Sequence, residues 1–171
     1  MFSHVKKMLK IFLLTCLVLL FARGFLLEPG RVNGRSMETT FIDSEMFIVN
    51  KFALLISPPK RGDIVQFKGE DVGEVVIKRV IGLPNEEVFI YHNSIHITDV
   101  DGNEFVLDEP YLDDWIVTKT ESGKKEGWLV PEQNYFLMGD NRPYSIDSRV
   151  YGSISRTEIY GLISKVPFLS K

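Results

Sequence analysis

Residues 74–91 read EVVIKRVIGLPNEEVFIY, two runs rich in Val, Ile and aromatic residues on either side of a Gly-Leu-Pro-Asn turn signal. That is the pattern of consecutive β-strands. Within VVIKRVIG a period of two puts Val76, Lys78 and Val80 on one face, and Ile77, Arg79 and Ile81 on the other. Similar runs recur outward in both directions: MFIVN (46–50), DIVQF (63–67), SIHIT (94–98), NYFLMG (134–139) and IYGLIS (159–164). The turn-like pieces SPPKRGD, YHNS and DVDGNE separate them. No stretch after residue 30 holds a helical period, so the expected class is mainly β, built from folded antiparallel sheets. The polar stretch at about 92–132, which contains TKTESGKKEG, is expected to be a less regular elaboration of the same core.

The N-terminus has a different character. The run from Ile11 to Ala22 carries no charge, and apolar residues resume after Arg23 through Phe25, Leu26 and Leu27. As a helix, residues 11–27 would span about 25 Å, at the short end for crossing a bilayer, with the Arg23 stem lying along the helix toward the interface. Lys6, Lys7 and Lys10 precede this run, and cationic flanks stay on the cytoplasmic side. The expectation is a basic cytoplasmic segment (1–10), one transmembrane anchor (11–27) and an extracytoplasmic domain (28–171). The rival reading, a cleaved secretory leader, lacks a small-x-small site after the run. Cys16 is the only cysteine, so no disulfide forms within the chain.

Residues 28–171 hold 16 basic and 23 acidic side chains. An acidic ectodomain argues against a nucleic-acid partner, which requires a basic footprint. Asp99, Asp101 and Asn103 around Gly102 lack the ligand ladder of a calcium loop and read as a hairpin turn. None of the three histidines has a cysteine or carboxylate at metal-ligand spacing, so neither a metal nor another cofactor is implied. His4 precedes the anchor, His92 falls in a turn, and His96 alternates with Ser94 and Thr98 on a strand.

If the chain carries a general base, lysine is the remaining type. Lys78 lies between two β-branched residues on its own strand face, where desolvation lowers a lysine pKa. The competing account is an ordinary strand lysine with a solvated head. Ser36 follows Gly34 in GRSME, soon after the anchor, where a small residue permits a tight bend; many such serines only cap turns. In GDNRPYSIDSRVYG (139–152), Ser145, Asp147 and Arg149 alternate. An extended chain would place all three on one face, with Asp147 and Arg149 paired or merely forming a surface ion pair.

Taken together, four segments resemble the signature boxes of bacterial type I signal peptidases, in that family's order: GRSMETTF (34–41), RGDIVQFK (61–68), VIKRVIGLPNE (76–86) and GDNRPYSIDSRVYG (139–152). The resemblance implies a membrane-bound serine endopeptidase with a signal-peptidase-like fold that removes signal peptides from secretory preproteins outside the cytoplasmic bilayer. It implies Ser36 as nucleophile and neutral Lys78 as general base. Ser145 would orient the lysine amine, Asp147 and Arg149 would brace the site, and the Ser36 backbone N–H would help hold the oxyanion. Gly34 occupies a position where some larger relatives carry a hydroxyl. The implied substrates have small side chains one and three residues before the cut, with Met37, Ile42 and strand residues near Lys78 as pocket walls. Two positions depart from the family's pattern: Thr39 stands where proline is usual, and Asn85 where glycine is common. Two rivals remain: a Ser–Lys protease of the self-cleaving repressor kind, and a catalytically weak or inactive relative serving as an assembly factor for surface structures. The anchor and acidic ectodomain speak against the first, and the presence of both Ser36 and Lys78 against the second.

Overall fold

A computed structural model of the chain describes residues 2–69, 75–120 and 122–166; among these, the side chains of residues 2, 3 and 21–25 are not described. Glu74 of the predicted strand, Glu121 of the polar loop and the side chain of Arg23 therefore lie outside the described residues. The chain begins with helix α1 (Phe2–Leu26) and passes directly into strand β1 (Leu27–Arg31). Strand β2 (Met46–Asn50), the single turn of helix α2 (Ala53–Ile56), β3 (Ile64–Lys68) and β4 (Val75–Gly82) follow. Next come β5 (Glu87–Tyr91), β6 (Ser94–Thr98), β7 (Glu104–Val106), β8 (Glu126–Leu129) and β9 (Asn134–Met138). The short helix α3 (Ser148–Tyr151), β10 (Ile154–Ser155) and β11 (Ile159–Lys165) complete the chain.

Two antiparallel sheets result. The larger runs β1-β2-β11-β3-β4-β9-β10, and the smaller runs β7-β6-β5-β8. The mainly β expectation is met, and β4 is an interior strand, with β3 and β9 hydrogen-bonded on either side. Both of its faces are covered, which is why its sequence is nearly continuously apolar. Val80 packs with Val65, Phe67 and Leu137, whereas Ile81 joins Val88, Ile90 and Phe136 in a second cluster beneath the smaller sheet. At Gly82 the β4–β9 register shifts, and a Cβ there would run into Val88, Val130 and Phe136. The missing side chain lets the two sheets approach each other at the end of the lysine strand. The β5–β6 hairpin turns through His92 (φ 50°) and Asn93 (φ 61°), the two-residue geometry that matches strand twist.

The structure adds detail at three places. The anchor read over residues 11–27 falls in α1, except that Leu27 opens β1. Among the described residues no helix is long and apolar enough to cross a membrane. Lys6, Lys7 and Lys10 occupy the early turns of α1, and the uncharged run begins at Ile11. Within 92–132, β7 and β8 are regular strands that complete the smaller sheet. The closing box is not extended throughout: Ser148–Tyr151 coils into a helical turn, and Asp147 caps it by accepting the Arg149 N–H.

Candidate active site

The segment that carries Ser36, the expected nucleophile, is a tight turn between β1 and β2. Gly34 adopts φ 101° and donates its N–H to Asp43 Oδ1 at 2.8 Å, a bond that holds the Asp43 carboxyl below the usual range. Met37 O accepts the N–H groups of Thr40 and Phe41. The Met37 side chain is fully buried among Val32, Phe41, Phe47 and Ile77, and so pins the turn to the core. Its neighbour Ser36 is half-buried at the edge of a cleft. Asn141 holds this turn from the other side: its N–H donates to Ser36 O at 3.0 Å and its side-chain amide donates to Arg35 O at 2.9 Å. Among the described residues no acceptor takes up the Ser36 N–H.

Lys78 sits in mid-strand opposite Val65 and is only 4% exposed. No carboxylate forms an ion pair with it among the described residues. Burial pushes its amine down from the ordinary 10.5 to about 8, Asp147 and Asp140 pull upward, and Arg149 adds to the lowering. Ser36 and Lys78 line one cleft of about 300 Å³ together with Val76, Tyr144, Ile146 and Tyr151. A second cleft of about 240 Å³ adjoins it through Asn33, Ser36 and Val76, with Val32, Phe47 and Ile77 in its walls. Of the expected pocket residues, Met37 lies in the core and Ile42 is exposed; neither lines these two clefts.

The closing box braces this arrangement. Asp147 is fully buried and receives both the Nε and Nη2 of Arg149 at 2.8 Å, a bidentate pair. It also accepts the Gly139 N–H at 3.0 Å. Arg149 donates further to the carbonyls of Lys119, Arg142 and Ser145. A Cβ at Gly139 would fall onto the Ser145 side chain and Ser36 O, so only glycine lets the box and the nucleophile turn meet. The Ser145 hydroxyl is buried and makes no hydrogen bond among the described residues, to Lys78 or to any other group.

Residues not singled out from the sequence complete the site. Arg79, next to Lys78, is bidentate to fully buried Asp140 at 2.8 and 2.6 Å. It also reaches Gly62 O and Thr40 Oγ1, and stacks 3.7 Å over Tyr111. Thr40 Oγ1 donates to Asp140 in turn. Arg142, fully buried, pairs with Glu109 and bonds Thr118, tying the 108–118 segment to the box. Neither carboxylate partner stands near its arginine in sequence, so only the acidic turn and the Lys-Arg dipeptide offered any signal. His92 and His96 stand apart from the clefts, with His96 stacked on Tyr91. Among the described residues no group of His, Cys, Asp or Glu could hold a metal ion.

Ser36 and the buried Lys78 thus line one cleft. A family model described as "Signal peptidase, peptidase S26" matches residues 5–168. The chain belongs to this family. It is a serine endopeptidase of the bacterial signal peptidase I type. It is 34% identical to signal peptidase I P of Bacillus subtilis subsp. natto over 97% of this chain and 90% of that one. With signal peptidase I T of Bacillus subtilis strain 168 the identity is 38% over 89% of this chain and 79% of that one. A crystal structure of a signal peptidase I from Enterococcus faecalis superposes with a TM-score of 0.51 at 29% identity, covering 63% of this chain and 98% of that chain.

Thr39 adopts φ 89°, a region that proline, with φ locked near −65°, does not reach. Thr39→Pro should therefore lower stability by more than about 1 kcal/mol, read as a drop in urea midpoint, while Thr39→Gly should hold or raise it. An unchanged midpoint in Thr39→Pro would show that the turn re-forms around the ring. Lys78 offers a second test. Its folded pKa of about 8 lies below its ordinary value, so the unfolded chain binds the extra proton between those two values. The buried ammonium thus costs stability below pH 8, by about 3 kcal/mol, and the cost fades as pH rises toward 10.5. Lys78→Met should stabilise the protein by about 1–3 kcal/mol at pH 7 and less at pH 10; an equal gain at both would contradict a depressed pKa.

Proposed function

We propose that this chain removes N-terminal signal peptides from secretory preproteins, with Ser36 as nucleophile and neutral Lys78 as general base. The observation that carries the reading is the shared cleft of Ser36 and a buried, unpaired Lys78. Ser36 Oγ attacks the scissile carbonyl carbon while its proton passes to Lys78 Nζ. The charge that develops on the carbonyl oxygen faces the Ser36 N–H, which has no acceptor among the described residues, and Gly34 adds no hydroxyl there. The ammonium then returns the proton to the departing amine, which leaves as the new N-terminus of the mature protein. Water, deprotonated by Lys78, hydrolyses the remaining ester and releases the signal peptide. The buried Ser145 hydroxyl, without a hydrogen-bond partner among the described residues, is available to orient the lysine amine during the reaction, and Asp147 with Arg149 keeps the box in place.

The subsites follow from the two adjoining clefts. Their walls, Val32, Phe47, Val76 and Ile77, leave room for small side chains close to the cut. The enzyme works at a membrane. Leu13, Leu14, Leu17, Val18, Leu19 and Leu20 of α1 are all exposed, so none of the described residues covers them, and lipid is the solvent that fits such a surface. With Lys6, Lys7 and Lys10 retained on the cytoplasmic side, α1 serves as the anchor and the sheets stand outside. A tethered enzyme there meets preproteins, themselves held in the bilayer by their signal segments, at high effective concentration.

The test is cleavage of a preprotein by the detergent-solubilised full chain, with the product's new N-terminus sequenced. Wild type should cut after a small-x-small site and Ser36→Ala should not. The rate should fall about tenfold per pH unit below pH 8, because only the neutral amine accepts the proton. Equal cleavage by Ser36→Ala, or a rate flat between pH 6 and pH 8, would sink this mechanism.

A further inference from the structure

A pocket of about 440 Å³ lies beyond Ile146 from the catalytic cleft. Ile146 belongs to both walls, lining this pocket and the cleft of Ser36 and Lys78. Since that cleft also opens into the smaller one next to Ser36, three depressions run in series, with Ser36 at the first junction and Ile146 at the second. An extended peptide that places its acyl side in the first depression and its scissile bond at Ser36 runs onward past Ile146.

The third pocket has its own chemistry. Ile146 is 66% exposed and Val150 52%, an apolar surface left open to a partner. The charged groups among its described lining are Lys119, Arg142 and Arg149, with no carboxylate, in a region where acidic side chains outnumber basic ones. Arg142 is neutralised by Glu109 and Arg149 by Asp147. Lys119 forms no ion pair among the described residues. Its carbonyl accepts Arg149 Nη1 at 3.0 Å, which fixes its backbone at the rim. An exposed ammonium above an apolar floor favours a carboxylate carried on a chain that also covers the floor.

We propose that this pocket receives the part of the preprotein that follows the scissile bond and selects an acidic side chain there through Lys119. The inference rests on the signal-peptide reading above and adds a preference on the mature side of the cut.

The experiment uses the full chain in detergent with peptides identical up to the cut. Beyond it a single Glu, Gln or Lys is moved along the following positions. At one or two positions wild type should cleave the Glu peptide about three- to tenfold faster in kcat/KM than the Lys peptide at low salt, and less so at high salt. Lys119→Glu should reverse that order, and Val150→Lys should sharpen it. A Glu-to-Lys ratio that is the same in wild type and Lys119→Glu at every position overturns the subsite while leaving the peptidase intact. Failure to cleave even the Gln peptide overturns the peptidase reading and this inference with it.

Discussion

The ion pair between Arg79 and Asp140 joins residues 61 positions apart in sequence, and three parts of the site are built against it. Arg79 belongs to β4, Asp140 to the turn after β9, and Thr40, which bonds both, to the nucleophile turn. Tyr111 lies over the guanidinium from the segment between β7 and β8. Taking two charges out of water is costly, and here bidentate geometry and further bonds from Gly62 and Thr40 offset the cost. Removing one partner would leave an uncompensated buried charge, which typically costs several kcal/mol. The positions of Ser36 and Lys78 relative to one another therefore depend on a pair to which neither belongs.

Adjacent residues on β4 meet opposite fates. Pleating sends Arg79 toward a carboxylate and Lys78 toward a cleft without one. Were Lys78 paired as Arg79 is, its amine would hold its proton well above pH 8 and would be a poor proton acceptor near neutrality. The same strand thus supplies one permanent charge for architecture and, on the proposed mechanism, one suppressed charge for chemistry. Arginine suits the first role because its guanidinium stays protonated and binds bidentately; lysine suits the second because burial shifts it readily. The fold carries the energetic penalty of the second through the packing of Val65, Val80, Phe67 and Leu137 nearby.

Features governed by local pattern were legible in the sequence. The alternating runs around Lys78, the hairpin at His92-Asn93 and the turn after Gly139 depend on neighbours in the chain, and the structure has them where the pattern put them. Strand β1, LEPGR, was not legible, since Pro29 and Gly30 argue against a strand. It forms at a sheet edge, where proline is tolerated and the Phe47 ring fills the space that a side chain on Gly30 would need. Long-range partners were equally hidden: nothing near Arg79 or Arg142 announces Asp140 or Glu109. Met37 is a candidate pocket wall by the resemblance, yet its side chain turns inward to the core. The closing box looked extended by alternation, whereas Asp147 starts a helical turn whose first N–H groups need an acceptor.

Helix α1 gives way to β1 with no intervening linker, and the Lys51 N–H bonds Leu26 O at 2.9 Å just where one becomes the other. β1 is then held along its whole length by β2 before the chain reaches Ser36. A flexible tether would let the nucleophile sample a range of heights above the helix end. This joint behaves as a ruler, fixing the separation in the covalent geometry of a helix end and one paired strand. Lengthening or shortening that junction by a residue would also reverse which face of β1 each side chain occupies, so the spacing and the sheet register are one constraint.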